Sequence, residues 1–404
     1  MNARQERGLE IARRLRIRKT PSGGYIVPSQ GGVGKYAVIM GERPTCTCPD
    51  HELHGGMCKH LYAVEYMIQG EFFEDGRTTI TETVRVTETV RRTYPQKWSA
   101  YNAAQTSEKD TFQTLLRDLC KGIAEPEAAK TGRPRLPLAD VVFAAAFKVY
   151  STVSGRRFMS DLREAHERGY MTKMPHYNSI FRYLENPALT PVLRDLITQS
   201  SLPLKTVEVD FAVDSSGFTT NKFHRWFDHK YGQERQEHDW VKVHIMCGVK
   251  TNIITAIEIH DRNASDAKLM PALVDATARN FPIAEVSADK GYASAKNTEV
   301  VMNHGGTPFI AFRTSDTGHM GGAWAKMFGY FTYRRDEFLA HYHKRSNVET
   351  TFSMMKRKFG DALRSKTDTA MKNEALCKVL CHNLVVLIHE MHELGIEAAF
   401  GSGN

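Results

Sequence analysis

Long apolar segments are missing from the sequence. The longest apolar run, at about residues 376–388, is interrupted by Lys378 and His382 and is too short to span a bilayer. The N-terminal stretch is polar and basic throughout, unlike a secretory signal peptide. These two absences favour a soluble protein of the cytoplasm.

Cysteine is scarce, and its number is odd. Seven cysteines in 404 residues argue against a complete disulfide framework. Three of them, Cys46, Cys48 and Cys58, lie within thirteen residues of one another. This clustering indicates a metal site in a reducing compartment.

A surplus of acidic residues is also absent. The chain has 54 Lys and Arg against 46 Asp and Glu, which gives a net charge of +8 and a pI of about 9.0. This balance favours a polyanionic partner without identifying it. The length and the 41% hydrophobic content suffice for two or three domains and at least one large core.

Four regions are predicted along the chain. Residues 1–75 form a small module with a basic helix (about 3–16), a β-hairpin and a short helix around the cysteine cluster. Residues 76–106 are Thr-rich and charged, which is typical of a linker. Residues 107–202 have helical patterns separated by Gly, Ser and Pro, and residues 203–404 combine strands and helices.

The pattern of the last region predicts a mixed α/β sheet. Three adjacent strand patterns, at about 206–214, 241–249 and 252–260, are followed by alternating helices and strands. This order favours a sheet that is covered by helices on both faces. Long helices are expected at about 335–361 and 367–394.

The helical region, 107–202, carries basic and aromatic residues on its later helices. Two interpretations stay open, a helix-turn-helix that contacts DNA and a plain helical bundle. The segment 131–135, TGRPR, either enters a minor groove or leads into the next helix as an exposed stretch. The residues on these later helices are Arg156, Arg157, Lys173, His176, Tyr177 and Arg182.

Cys46, Cys48, Cys58 and His60 follow the order C-x-C, nine residues, C-x-H. Three thiolates and one imidazole can close a tetrahedral Zn²⁺ shell with no open position, as in structural zinc sites. The alternative, three buried cysteines and a surface histidine, is disfavoured because the loop between them is too polar to bury them otherwise. The pattern resembles the SWIM zinc finger, a module associated with DNA or protein binding. Substitute ligands in the same loop are His51 and His54.

A second metal site at Cys377 and Cys381 is disfavoured. The two cysteines lie one helical turn apart near three histidines, but the helix ALCKVLCHNLVVLIHEMHEL is largely apolar. Packing in the core explains them better, because buried cysteine behaves as a small hydrophobic residue.

Three carboxylates stand where catalytic groups are expected. Asp214 is predicted to close the strand VEVDFAVD and Asp289 to close IAEVSAD, and functional residues of open α/β sheets gather just past such strand ends. The third carboxylate, Glu349, is predicted on the long helix beside an apolar stripe. Four polar residues are predicted to share one face of this helix: Tyr342, Arg345, Glu349 and Lys356.

Each of these carboxylates has a plainer explanation when taken alone. An aspartate at a strand end is often a turn former, and Arg345 with Glu349 is an ordinary i, i+4 surface pair. Two aspartates and one glutamate that converge in space would instead form an oxygen-rich cage suited to Mg²⁺ or Mn²⁺.

The motifs DSSGF, ADKGY and Y-x2-R-x3-E-x6-K resemble those of the DDE insertion-sequence transposases, which have an RNase H-like core. The resemblance covers about residues 204–395 and implies that Asp214, Asp289 and Glu349 bind two Mg²⁺ or Mn²⁺ ions. It further implies that Arg345 and Lys356 hold DNA phosphates, with Tyr342 supporting them. Asp210 shares a strand face with Asp214 and is an alternative first ligand, although DSSG fits the family pattern better.

The resemblance implies a DNA transposase that cuts at element ends with water as nucleophile and joins the 3′-OH to target DNA. Its expected partners are DNA and a second copy of the chain, with no membrane partner and a nucleoid location when bound to DNA. The alternatives are a non-catalytic zinc-finger DNA-binding regulator and a metal-dependent nuclease. Only 60 positions separate Asp289 from Glu349, too few for a large inserted β-domain, so the hairpin mechanism of relatives with that insertion is not assumed. Further DNA contacts are expected at Trp226, His229, Lys230 and Lys242, although a place in the core suits Trp226 better.

Overall fold

The computed structural model describes residues 2–30, 34–72, 78–80, 97–126, 135–220, 240–260, 265–398 and 400. The chain divides into two compact units, Met1–Thr93 and Tyr94–Asn404. The predicted regions 107–202 and 203–404 both lie in the second unit, and the four-part division stays a prediction. Several of the sequence-based expectations fall outside the described residues: most of the linker, residues 131–134, Trp226, His229 and Lys230.

Two stacked helices form one side of the first unit. Helix α1 (Ala3–Arg14) begins with a capping box, in which the Asn2 side chain accepts the N–H of Gln5 and the Gln5 side chain accepts the N–H of Asn2. It packs on α3 (Lys59–Gln69). A Cβ atom at Gly8 would lie 2.6 Å from the Cβ atom of Tyr62, so the close approach of the two helices requires glycine.

A small antiparallel sheet completes the first unit. Its strands follow in chain order as β1 (Arg18–Lys19), β2 (Tyr25–Pro28), β3 (Lys35–Ile39) and β4 (Thr45–Cys46). The pairing of β2 with β3 confirms the predicted hairpin. A one-and-a-half-turn helix, α2 (Pro49–His54), follows β4, and a separate pair, β5 (Gly70–Phe72) and β6 (Thr78–Ile80), comes after α3.

Within the described residues of the second unit, five α-helices precede the large sheet. They are α4 (Trp98–Cys120), α5 (Leu138–Ser151), α6 (Gly155–Glu167), α7 (Tyr177–Leu184) and α8 (Leu189–Ser201). Residues 98–106, which the sequence analysis assigned to the linker, form the first turns of α4. Helix α5 is apolar on all sides and is almost wholly buried, as expected of a helix at the centre of a domain.

The large sheet of the second unit has five described strands. They are β7 (Asp210–Thr219), β8 (Trp240–Gly248), β9 (Ile254–His260), β10 (Glu285–Ala288) and β11 (Thr307–Ile310). Their order in the sheet is β9-β8-β7-β10-β11. Strands β7, β8 and β9 pair antiparallel, whereas β10 and β11 run parallel to β7. This is the mixed, RNase H-like sheet expected from the sequence.

Helices cover both faces of this sheet. One face packs on α9 (Asp266–Ala278), which in turn contacts α10 (Ala295–Asn303). The other face packs on α8, on α13 (Ser346–Phe359) and on α14 (Asp368–Leu394), whose middle is buried against α4, α5 and α8. An aromatic cluster around Phe309 and Phe338 joins β11 to the remaining helices, α11 (Gly322–Tyr333) and α12 (Arg335–Tyr342).

A membrane-spanning helix has to be both long and apolar. Within the described ranges, no helix is long and apolar enough to cross a bilayer.

Candidate functional site

Four residues of the first unit form a compact cluster of metal-binding side chains. The ligand atoms of Cys46, Cys48, Cys58 and His60 all lie within 4.8 Å of one another, and all four residues are buried. Among the residues that the structure describes, this is the one group of three or more Cys, His, Asp or Glu that meets this spacing. Three sulfurs and one imidazole nitrogen are the donor set of a structural Zn²⁺ site.

The local fold explains why these four side chains meet. Cys46 ends β4, Cys48 caps α2 and accepts the N–H of His51 on its sulfur at 3.4 Å, and His60 lies in the first turn of α3. His60 Nε2 is buried and has no hydrogen-bond partner within the described residues. The other ring nitrogen, Nδ1, lies 3.9 Å from Cys46 Sγ, so the imidazole stands beside the thiols as a metal ligand would.

The two alternative histidine ligands do not enter the cluster. His51 Nδ1 contacts the backbone oxygen of Gly56 at 2.7 Å, and the exposed His54 contacts Asp50. Within the cluster, the hydrogen bond from Cys46 lowers the pKa of Cys58 to about 3, while burial raises the pKa of Cys48.

Asp214 lies in the middle of a strand and not at its end. The expectation that it closes its strand was wrong, because β7 continues to Thr219 in register with β8 and places Asp214 opposite Ile245. The parallel neighbour β10 is much shorter and ends at Ala288, which pairs with Val213. Asp214 is thus the first residue of β7 beyond the parallel part of the sheet.

Asp289 follows the last residue of β10 and so emerges beside Asp214. The paired residues Val213 and Ala288 directly precede the two aspartates. Asp289 begins a short 3-10 turn, Lys290–Tyr292, where its Oδ1 atom accepts the N–H of Lys290 at 2.7 Å. The register of two parallel strands therefore brings the two carboxylates to one edge of the sheet.

Arg345 links Asp214 to the third carboxylate. Its guanidinium nitrogens lie 3.1 Å from Asp214 Oδ2 and 2.7 Å from Glu349 Oε1. The Asp214 side chain is 21% exposed and that of Glu349 58% exposed, so the pair spans the boundary between the sheet edge and solvent. The ordinary i, i+4 ion pair between Arg345 and Glu349 is present, but Arg345 also contacts Asp214 on the sheet.

The helix that carries these residues is interrupted. In place of the single helix expected at 335–361, α12 ends at Tyr342 and a 3-10 turn, His343–Arg345, leads into α13. Tyr342 therefore belongs to a different helix from Glu349 and packs with the aromatic cluster. A 3-10 turn changes the rotation per residue, so an ideal α-helical wheel does not apply across residues 342–349.

The electrostatics of Asp214 reflect both of its acidic neighbours. Burial raises the pKa of Asp214, and the charges of Asp289 and Glu349 act in the same direction. The N–H of Ser215 and the charge of Arg345 oppose this effect. Asp289 and Glu349 thus lie near enough to Asp214 to repel its negative charge, and a cation bound there would relieve this repulsion.

Lys356 lies farther along the same side of the sheet. Its Nζ atom donates to Ser216 Oγ at 2.6 Å, and Ser216 shares the strand face of Asp214. The ammonium group also stands 5.5 Å from the ring centroid of Phe218. Burial lowers the pKa of Lys356.

Asp210, the alternative first ligand, has other partners. Lys344 Nζ lies 2.7 Å from Asp210 Oδ2 and 2.7 Å from Glu285 Oε2, while His341 contacts Glu285 at 2.8 Å. Asp210 stands four residues before Asp214 on an extended strand, a separation of about 13 Å. The side chains nearest to Asp210 therefore form an ion-pair group of their own.

Sequence reasoning missed a polar group on the opposite face of the sheet. His244 and Tyr292 are buried, with His244 Nδ1 3.3 Å from the Tyr292 hydroxyl, which also hydrogen-bonds Ser215. Burial lowers the pKa of His244 to about 4. Lys242, expected to contact DNA, forms an ion pair with Asp266 in the same area. The ADKGY motif contains Tyr292. His244 could not be found in the same way, because it is a single histidine with no characteristic spacing to other polar residues.

The proposed DNA-contact residues of the helical region lie on α6, on α7 and between them. Tyr177 is half-buried, and the Arg156 guanidinium lies over its ring, 5.6 Å from the ring centroid. The other residues of this set are exposed: Arg156, Arg157, Lys173, His176 and Arg182. Both the helix-turn-helix and the plain bundle interpretation remain predictions. Cys377 and Cys381 are buried in the core.

Comparison with known proteins agrees with two of these features. Residues 205–384 match the family described as transposase DDE domain, and residues 36–69 match the SWIM zinc finger family. Both resemblances drawn from the sequence are confirmed over these residues. A solved structure, "Cryo-EM structure of piggyBac transposase synaptic complex with hairpin DNA", is similar at 9% identity with a TM-score of 0.34, covering 74% of this chain and 77% of that chain. No curated protein sequence matches.

Proposed function

We propose that this chain, which carries a transposase DDE domain and a SWIM zinc finger, is an active DNA transposase. In this proposal it cuts DNA at the ends of its element and joins the freed 3′-OH to target DNA. The observation that supports the proposal is that Asp214 and Asp289 follow paired residues at one edge of the sheet, while Arg345 bridges Asp214 to Glu349.

The three carboxylates are the proposed ligands of two Mg²⁺ or Mn²⁺ ions. Their oxygen atoms suit these hard cations, and the mutual repulsion that helps to raise the pKa of Asp214 favours a bound cation. When bound, two such ions activate the attacking oxygen and stabilise the leaving oxygen of an in-line displacement. No covalent bond between enzyme and DNA is required.

The cationic residues around the carboxylates are proposed to hold the DNA strand. Arg345 offers planar donors suited to a phosphate, and Lys356 adds a positive charge beside Ser216 on the same strand face as Asp214. Tyr342 supports Arg345 from the end of α12. Because phosphate contacts carry no sequence information, recognition of the element ends must come from other parts of the chain.

The SWIM module and the basic helices are proposed to supply that recognition. The Cys46–His60 cluster suits a structural Zn²⁺ ion, which stabilises the module and takes no part in cleavage. A homodimer is proposed because two ends have to be cut together. The expected location is the cytoplasm, with the protein on the nucleoid when it is bound to DNA.

A plasmid assay tests the proposed function. Supercoiled plasmid that carries the native flanks of the gene is incubated with Mg²⁺ or Mn²⁺ and with the wild type, Glu349→Gln or Glu337→Gln. Glu337 is an exposed glutamate on α12, so its substitution controls for the loss of one negative charge. We expect cuts at the flanks and joined products from the wild type and Glu337→Gln, and neither from Glu349→Gln.

The other outcomes identify the rival functions. Metal-dependent cuts without joined products would indicate a nuclease. Flank-specific binding by all three proteins without strand breakage would indicate a non-catalytic regulator.

A further inference from the structure

A cavity of about 430 Å³ lies in the second unit, apart from the three carboxylates. Its walls come from α5, from the start of α6, from α7, and from residues 359–378. Neither the proposed metal ligands nor the proposed phosphate-binding residues line it. The proposed cleavage reaction therefore leaves this cavity without a role.

One end of the cavity presents a buried, unpartnered ammonium group. Lys148 lines the cavity and is only 8% exposed. Its Nζ atom has no hydrogen bond or ion pair with the residues that the structure describes. Burial lowers the pKa of Lys148 to about 8, Arg364 acts in the same direction and Glu374 opposes it. A buried lysine without a partner is costly, and an anion in the cavity would supply one.

The start of α6 adds a second feature that favours an anion. Ser154, the N-cap of this 13-residue helix, and Gly155, its first residue, both line the cavity. The unpaired N–H groups and the dipole of a helix N-terminus attract negative charge. Two acidic residues line the cavity, the exposed Glu185 and the buried Glu374. Glu374 is already engaged, because its carboxylate accepts the N–H groups of Arg364 and Ser365 at 2.8–3.0 Å.

Another part of the wall is apolar and partly aromatic. Phe181 on α7 is 41% exposed, and a Cβ atom at Gly155 would lie 2.7 Å from its ring. The ring therefore lies directly on the start of α6, next to the anion-attracting end. An aromatic face beside a phosphate-sized positive site suits a nucleotide, since bases stack on aromatic side chains.

The cavity is near enough to the carboxylates for one DNA strand to reach both. The ring of Phe218 contacts both Lys356, whose Nζ atom lies 5.5 Å from its centroid, and the cavity-lining Lys378, whose Nζ atom lies 5.0 Å from it. Along α13, Glu349 precedes the cavity residue Phe359 by ten positions, which corresponds to about 15 Å. That distance equals a few nucleotides of a strand.

We propose that this cavity binds a single unpaired nucleotide, with its phosphate at Lys148 and the start of α6 and its base against Phe181. Two sources share this chemistry, a nucleotide within the bound DNA strand and a free mononucleotide. The strand source rests on the proposed transposase function, whereas binding of a free nucleotide does not.

Direct titration of the full-length protein with dTMP tests the site itself. We expect calorimetric binding of dTMP by the wild type, at least tenfold weaker binding of thymidine and of inorganic phosphate, and at least tenfold weaker binding of dTMP by Lys148→Met. Lys296→Met removes the same charge from an exposed position on α10 and should bind dTMP like the wild type. Because Lys148 is buried, Phe181→Ala at a half-exposed position provides a second variant, with the same expected loss.

Absence of dTMP binding, or equal binding by wild type, Lys148→Met and Phe181→Ala, would overturn the proposal.

The strand source is tested with flank DNA that carries 2-aminopurine a few nucleotides from the cut. A fluorescence rise in the wild type that Phe181→Ala lacks would support it. Flank cutting without dTMP binding would refute the nucleotide site and leave the transposase intact. Lys148-dependent dTMP binding without cutting or flank binding would support the site as one for free nucleotides.

Discussion

Arg345 donates to Asp214 at 3.1 Å, across 131 positions of sequence. The same guanidinium lies 2.7 Å from Glu349, so one side chain connects the sheet edge to helix α13. This contact allows the sheet carboxylate and the helix carboxylate to be tested as parts of one site.

Replacement of Arg345 should impair cleavage more than folding. We expect Arg345→Gln to reduce the rate of nicking of flank DNA at least tenfold, about 1.4 kcal/mol in the barrier, because a donor to the phosphate is lost. The measurement is the initial rate at saturating Mg²⁺. Arg334→Gln, at an exposed arginine of the same region, is the control and should cut normally. Equal rates for both variants would exclude Arg345 from the reaction.

Lys356 should contribute to affinity for DNA without regard to sequence. We expect Lys356→Gln to weaken binding to flank and unrelated duplexes alike, and to reduce the slope of log affinity against log salt by about 1. Fluorescence anisotropy at several salt concentrations measures both quantities. Lys296→Gln serves as the matched control. A loss of affinity confined to flank DNA would contradict a phosphate contact.

Loss of zinc should unfold the first unit. Structural Zn²⁺ contributes about 10 kcal/mol or more to the folding of small zinc modules, so Cys58→Ser should lose the metal and expose residues 2–72 to protease. Zinc content by mass spectrometry and limited proteolysis give the readouts. His54→Ala should keep one zinc per chain, because His54 lies outside the cluster. Stoichiometric zinc in Cys58→Ser would argue against this ligand set.

The ion pairs of Lys344 should make stability depend on pH. Burial alone would raise the pKa of Glu285, but hydrogen bonds from Lys344 and His341 dominate and lower it below its usual value. Because the pKa is depressed on folding, the stabilisation is complete above about pH 4.5 and is lost as pH falls through the lower value.

We therefore expect Lys344→Met to reduce the free energy of unfolding by about 1.5–3 kcal/mol at pH 7 and by less at pH 3.5. Urea unfolding at the two pH values measures this difference. Lys326→Met, at an exposed position on α11, is a control that should change stability little at either pH. If Lys344→Met reduces the free energy of unfolding as much at pH 3.5 as at pH 7, the ion pair with Glu285 is not the source of the stabilisation.

Local patterns were sufficient to predict the zinc cluster and most strands. The C-x-C and C-x-H spacings fall on a strand end, a helix cap and a first helical turn, which are all set by nearby residues. The alternation of apolar residues likewise located β8 and β9, but it placed β7 at 206–214, whereas the strand is Asp210–Thr219. Asp289 was placed correctly because β10 ends where its apolar pattern ends.

The position of Asp214 depended on information from elsewhere in the chain. Whether β7 stops at Asp214 or continues is decided by β8, which pairs with β7 as far as Thr219, and by the short β10. The interruption before α13 was missed because no Pro or Gly marks residues 342–346. The cavity at Lys148 is lined by helices that are remote from one another in the sequence, so no sequence motif predicts it.

The contact between Arg345 and Asp214 also has a consequence for synthesis. A protein emerges from the ribosome N-terminus first, so the zinc module and both aspartates are complete long before residue 345 exists. Contacts between such distant positions form late, because a long loop has to close. We expect nascent chains to bind DNA before they can break it, which delays cutting until the whole second unit has folded.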